Sequence, residues 1–158
     1  MAKQDMLDAQ TRALVRFAAA VAQGYEPELR ERVAPLRTAQ VPVAWVEELL
    51  LQSVLMVGYP RALIAFSAWR KFSGLPAPEV DPAADYSHVE EWTRRGEETC
   101  ALVYGDNYGK LRDSIRALHP ALDAWMLTEG YGRTLARPLL FAGTGRLCTI
   151  WCSRGPGA

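Results

Sequence analysis

The stretch PVAWVEELLLQSVLMVGYPRALIAFSAWRKF, residues 42–72, carries the reading of the fold. Val46, Leu49, Leu50, Ser53 and Val54 recur at three- and four-residue spacing, which lays them along one side of a helix. Pro42 suits its first turn, where the amide that proline lacks would have no partner anyway. Gly58 is expected to end this helix after Val57, and Pro60 to open another running to about Phe72. Leu63, Ile64, Ser67, Ala68 and Trp69 are predicted on the inner side of that second helix. Arg70 and Lys71 complement the negative end of its dipole.

The same period extends outward in both directions. Leu14, Phe17, Ala18 and Val21 mark a helix over Ala9 to Gln23, with Asp8 at its N-cap. Glu26-Pro27 opens a second, carrying Leu29, Val33 and Leu36, and Pro35 predicts a kink or early stop because it removes a helical hydrogen bond. Beyond the proline-rich segment Gly74 to Asp85, Ser87 and Glu90 have the order of a capping box. A fifth helix should reach Tyr104, its outer face laced by Glu91 with Arg95 and Arg94 with Glu98. Asp106 is the expected cap of a sixth, striped by Leu111, Ile115 and Leu118. His119-Pro120 begins a seventh, through Leu122, Trp125, Met126 and Leu135. Gly130 and Gly132 weaken that last helix by about 1 kcal/mol each against alanine, so close packing or a site must account for them. Sustained two-residue alternation is missing, and the expectation is an all-α bundle of about seven helices with no sheet.

Composition narrows the function classes. The chain has 158 residues, with 18 Lys+Arg against 18 Asp+Glu. Zero net charge withholds the basic footprint of a nucleic-acid or anionic-membrane binder. The longest apolar run, Leu49 to Tyr59, is broken by Gln52 and falls short of the roughly 20 residues that span a bilayer, so no transmembrane helix is expected. Met1 to Gln10 lacks the apolar run of a signal peptide, and a cytoplasmic location follows as the expectation. Cys100, Cys148 and Cys152 do not make a disulfide framework, and His88 and His119 lie far from them in sequence, so a His/Cys zinc site has no suitable spacing and no metal is expected, a mixed carboxylate site being the one kind left open.

Glu47-Glu48 is the first candidate for chemistry. The helix around it is apolar, and a carboxyl on its inner edge would be shielded from water, the setting of a general acid or base. On the outer edge the same residues would be solvated and would favour the helix start. His119 has an imidazole suited to proton transfer, but its place before Pro120 equally suits a helix cap. Tyr104, Tyr108, Tyr131, Arg133 and Arg137 form a set that would receive a carboxylate ligand, since Arg offers a planar fork and Tyr a hydroxyl. The same types also gather at subunit interfaces. Cys100, with no histidine expected beside it, reads as a small core residue.

Several segments together resemble the carboxymuconolactone decarboxylase family. In the second half these are Arg94-Arg-Gly-Glu-Glu98, Val103-Tyr-Gly-Asp-Asn-Tyr108, Leu118-His-Pro-Ala-Leu122 and Gly130-Tyr-Gly-Arg-Thr-Leu-Ala-Arg-Pro138. In the first half they are Thr11-Arg-Ala-Leu14, Val46-Glu-Glu-Leu-Leu50 and Val57-Gly-Tyr-Pro-Arg-Ala62. The resemblance implies a complete helical repeat over residues 1–74, a linker over 75–86, the start of a shortened second repeat over 87–152 and a tail over 153–158. It implies the fold of the alkylhydroperoxidase D-like superfamily, assembled as trimers or hexamers, with no cofactor.

Its departures are specific. Ala13 stands where the family has a glutamate, and Arg32 aligns with a histidine, while Glu48 falls on a family glutamate. No cysteine or histidine occurs between Glu48 and Phe66, which removes the Cys-x-x-Cys of the peroxidase branch. In the second repeat Arg146 to Ile150 resembles the family's Arg-Glu-Leu segment without its glutamate.

A decarboxylase of this type must hold a carboxylated lactone, stabilise the enolate left by carbon dioxide and deliver a proton. The resemblance assigns Arg12 and Arg32 to the substrate and Glu48 to acid/base work. His119 is the other candidate proton donor, and Tyr131 and Arg133 are further substrate contacts. The expected protein is either such a lyase, acting on a small carboxylated lactone or related acid, or a non-catalytic oligomeric relative that binds such a ligand. Its expected partner is a second copy of itself, because the apolar stripes of helices five to seven need cover.

Overall fold

The computed structural model describes residues 7–137, and every described element is helical. The chain divides after Ala77 into two compact units. Five helices of at least 11 residues form among the described residues, fewer than the seven expected. The calls on Arg146 to Ile150, Cys148, Cys152 and the tail lie outside the described residues.

The first unit holds α1 (Ala9–Gln23), α2 (Glu26–Thr38) and α3 (Val43–Ser73). Asp8 caps α1 as the sequence implies, accepting from the Thr11 amide at 2.8 Å and the Thr11 hydroxyl at 3.0 Å. α2 continues through Pro35 to Thr38, against the expected early stop. Glu31 and Pro35 are both on the exposed side, so the carbonyl that loses its donor meets water instead of apolar core.

α3 joins the expected third and fourth helices. Its backbone turns at Gly58, where φ is 77° and ψ 165°, a conformation essentially reserved for glycine. The turn makes α3 a hairpin. Glu47 accepts from both Arg70 guanidinium nitrogens at 2.6 Å and from the Trp69 indole at 2.6 Å. On a straight helix those 23 residues would be about 35 Å apart.

By length and composition alone α3 is apolar enough to cross a membrane, but the break at Gly58 divides it. Each arm of the hairpin, residues 43–57 and 59–73, rises only about 22 Å, short of the roughly 30 Å hydrocarbon layer.

The core of the unit is Leu14, Phe17 and Val21 from α1, Leu29, Val33 and Leu36 from α2, and Val46, Leu49 and Leu50 from the first arm. The second arm buries Ala62, Ala65, Ala68 and Trp69. Leu63 (62% exposed), Ile64 (42%) and Ser67 face outward, correcting their predicted placement. Small alanines let this arm lie close to its neighbours, and Leu63 and Ile64 are turned out. Arg61 donates to the Ala22 carbonyl at 2.5 Å, closing the end of α1, and Lys71 meets Glu26 of α2 at 2.8 Å.

The second unit holds α4 (Val89–Tyr104), α5 (Tyr108–Leu118), α6 (Pro120–Trp125) and a π-helix over Met126–Leu135. The expected Ser87/Glu90 box does not form. His88 occupies the N-cap of α4 without a side-chain bond, while Asp85 accepts from the Ser87 amide at 3.0 Å. Asn107 rather than Asp106 precedes α5.

The predicted seventh helix becomes the six residues of α6 followed by the wider π coil, and Gly132 shows why this segment is glycine-rich. A Cβ there would stand 1.8 Å from the Trp92 carbonyl oxygen, and one at Gly96 would stand 2.0 Å from that of Leu127. Backbone therefore packs on backbone between α4 and the π-helix. Gly132 serves close packing, one of the two explanations the sequence left open.

Candidate functional site

In the first unit the carboxyl-bearing pair on α3 separates by one residue of rotation. Glu47 is held at the edge of the hairpin by Arg70 and Trp69, and its side chain is 14% exposed. It is neither core nor freely solvated. Glu48 turns inward and is 3% exposed. One helical turn further on, on the same face, Gln52 is 0% exposed and Ser53 beside it equally so. The Ser53 hydroxyl donates to the Leu50 carbonyl at 2.6 Å. Neither amide atom of Gln52 meets a hydrogen-bond partner among the described residues.

Sequence reasoning noted Gln52 only as a break in an apolar run. Its spacing of four from Glu48, inside the Val46, Leu49, Leu50 and Ser53 stripe, was the available signal.

The arginines predicted beside Glu48 lie on outer faces of this unit. Arg12 is exposed and donates to the Leu7 carbonyl at 2.8 Å. Arg32, about one-third exposed, is 3.9 Å from Glu28 one turn back on α2. The remaining candidates belong to the second unit. His119 is exposed, and its Nδ1 accepts from the Ala121 amide at 3.1 Å, so the imidazole caps α6.

The tyrosine and arginine set of the second unit divides into separate clasps. Tyr131 and Tyr104 meet hydroxyl to hydroxyl at 3.2 Å. Arg133 donates to the Tyr86 hydroxyl at 2.5 Å and to Glu129 at 2.7 Å, with its guanidinium 5.5 Å from the Trp92 ring centre. Arg137 forks onto Asp81 at 2.9 and 2.7 Å. Tyr108 accepts from Arg112, whose other nitrogens reach Asp123 at 2.5 and 2.9 Å. Arg116 adds a third contact to Asp123 at 2.9 Å. The planar forks predicted for a ligand carboxylate thus hold carboxylates of the chain itself.

Arg112 holds the Asp123 carboxyl below the usual range through their hydrogen bonds, with help from Arg116. Arg137 does the same for Asp81. Burial pushes the Cys100 thiol up, which favours the neutral form and matches its reading as a core residue. Among the described residues no three His, Cys, Asp or Glu side chains gather as metal ligands would.

The model of the carboxymuconolactone decarboxylase family matches residues 1–71, a span that ends within the last turn of α3. Over that span, less than half of its length, the chain is similar to the carboxymuconolactone decarboxylase family. The carboxymuconolactone decarboxylase match thus takes in Glu48, Gln52, Arg12 and Arg32, and it does not extend to His119, Tyr131 or Arg133. Nor does it reach the shortened second copy read at residues 87–152. No curated protein and no solved structure matches the chain.

Proposed function

We propose that this carboxymuconolactone decarboxylase-like protein acts as a carboxy-lyase on a small carboxylated lactone or related acid, with Glu48 as its proton-handling group. The observation that carries this is the burial of Glu48 at 3% exposure inside the family-matched unit. A carboxyl shielded from water is suited to exchanging a proton with a reacting carbon.

In the proposed step the bond between the ring carbon and the carboxylate carbon breaks and carbon dioxide leaves. The electron pair stays behind as an enolate conjugated with the lactone carbonyl. The Glu48 carboxyl then gives its proton to carbon and is reprotonated from water. Turnover of a lactone diacid, followed by carbon dioxide release, tests this reading. Glu48→Gln should lower the rate at least a hundredfold, and activity that survives the change would remove Glu48 from the mechanism.

A second reading has its own support. His119 acts as a cap, and Arg12 and Arg32 have local partners, which fits a non-catalytic relative that binds a small acid without turning it over. Binding of the acid with no carbon dioxide release would favour it. A thiol peroxidase is disfavoured, since residues 48–66 contain no cysteine; rapid hydroperoxide turnover would count against that exclusion.

The proposal includes a cytoplasmic homo-oligomer, a trimer or hexamer of the alkylhydroperoxidase D-like type. Its support is apolar surface: Leu102 is 78% exposed, Leu118 74% and Trp125 62%. A monodisperse monomer in light scattering at micromolar concentration would oppose it.

A further inference from the structure

Gln52 is a side chain that the proposed step leaves unused. It lies fully buried, and both its amide oxygen and its amide nitrogen lack hydrogen-bond partners among the described residues. Leaving a carboxamide bare in an apolar interior is unfavourable, and native proteins rarely keep such a group without a use for it.

Other polar groups of this unit are satisfied within the chain. Ser53 bonds to Leu50, Glu47 to Arg70 and Trp69, and the buried Thr11 to Asp8. Gln52 stands four residues after Glu48 on one helix, so their Cβ atoms are about 5–6 Å apart on the same face.

We propose that Gln52 is the recognition group of the Glu48 site, binding a carbonyl oxygen of a small lactone or carboxylic acid through its amide N–H. This rests on the reading that the ligand sits beside Glu48. The amide presents two donors and one acceptor and carries no charge. It therefore complements a carbonyl oxygen without repelling or neutralising an acidic ligand. In such a complex the same N–H would meet the oxygen on which negative charge grows as an enolate forms, where a fixed donor has its largest effect.

Gln52→Met tests this, because methionine keeps the length of the side chain and removes both polar atoms. Binding of γ-butyrolactone-γ-carboxylate, measured by calorimetry on the full chain, should weaken at least tenfold, while the unfolding temperature stays level or rises. Gln52→Glu keeps the acceptor but loses the donors and adds charge beside Glu48, and it should bind no better than Gln52→Met. Unchanged affinity in Gln52→Met, with a higher unfolding temperature, would overturn the inference and reduce Gln52 to a structural burden. Should Gln52→Met fail to fold, unchanged binding in Gln52→Glu would overturn it equally. Gln52-dependent binding without any carbon dioxide release would sustain the inference and remove only the catalytic reading. Absence of binding to the unaltered protein would overturn both.

Discussion

The two units solve the same problem, holding helices together, by different means. In the first, large apolar side chains fill the interior: Phe17, Leu14, Leu29, Leu36, Leu49 and Leu50 are each at most 2% exposed. In the second, α5 buries no residue fully, and α4 meets the π-helix through glycines. Carboxylate and guanidinium clasps at Asp123 and Asp81 supplement that contact.

The contrast bears on function. A unit held by apolar packing has room for a polar side chain that does nothing structural, and Gln52 is one. A unit held by ion pairs uses its polar residues for its own cohesion. Tyr131, Arg133 and Arg137, the set read for ligand binding, each hydrogen-bond within the chain in this way.

The strongest test of this contrast is Gly132→Ala. The new Cβ would need to displace backbone, since it would lie 1.8 Å from the Trp92 carbonyl oxygen, and overpacking with no side chain able to yield costs about 3 kcal/mol or more. Hydrogen exchange should rise across residues 89–135 and stay unchanged across 9–73. Protection retained in the second unit would show that glycine contact is not what holds it.

In the first unit the corresponding weak point is the hairpin turn. Gly58→Ala forces a side chain onto φ 77° and should lower stability by about 1–3 kcal/mol, read as a lower unfolding temperature.

Glu47→Gln should have a smaller effect. It replaces a forked ion pair whose Arg70 side is 25% exposed, so solvent screening limits the loss to about 1 kcal/mol. A shifted Trp69 indole N–H resonance would report it.

Acid should act on the second unit through Asp123 and Asp81. Their folded-state values lie below the ordinary carboxylate value. The stability they contribute is therefore full above the unfolded value of about 3.9 and is lost as pH falls from there through the lower folded values. Trp92 and Trp125 fluorescence should follow that loss, and Asp123→Asn should flatten the dependence.

The mildest change is Gly109→Ala. Nothing lies within 4 Å of its added methyl, and better helix propensity should raise stability by up to about 1 kcal/mol. The opposite signs expected at Gly109 and Gly132 separate local propensity from tertiary contact.

Much of this was legible beforehand where the chemistry is local. The Asp8 cap, the Cys100 burial, the stop at Gly58 and the pairing of Arg94 with Glu98 at 2.6 Å all depend on residues within a turn or two. His119 belongs with them, since capping needs only the next turn. The misjudged positions depend on distant partners. Leu63 and Ile64 share a helical stripe with Ala68, yet the arm turns its alanines inward, because the neighbouring helices set how close it must come. Tyr131, Arg133 and Arg137 had the right types for an acidic ligand, but Tyr104, Tyr86 and Asp81 reach them across 27, 47 and 56 positions.

Sequence alone determined that the chain is helical, where most helices begin and end, and that Glu48 lies in an apolar stretch. Hydrogen bonding within a helix and the spacing of apolar residues are short-range, so a single chain displays them. Tertiary structure decided that Glu47 faces Arg70, that Gly132 must lack a side chain, and that Gln52 is enclosed without a hydrogen-bond partner among the described residues. Those facts follow from which surfaces meet, and packing between elements distant in sequence leaves no periodic trace.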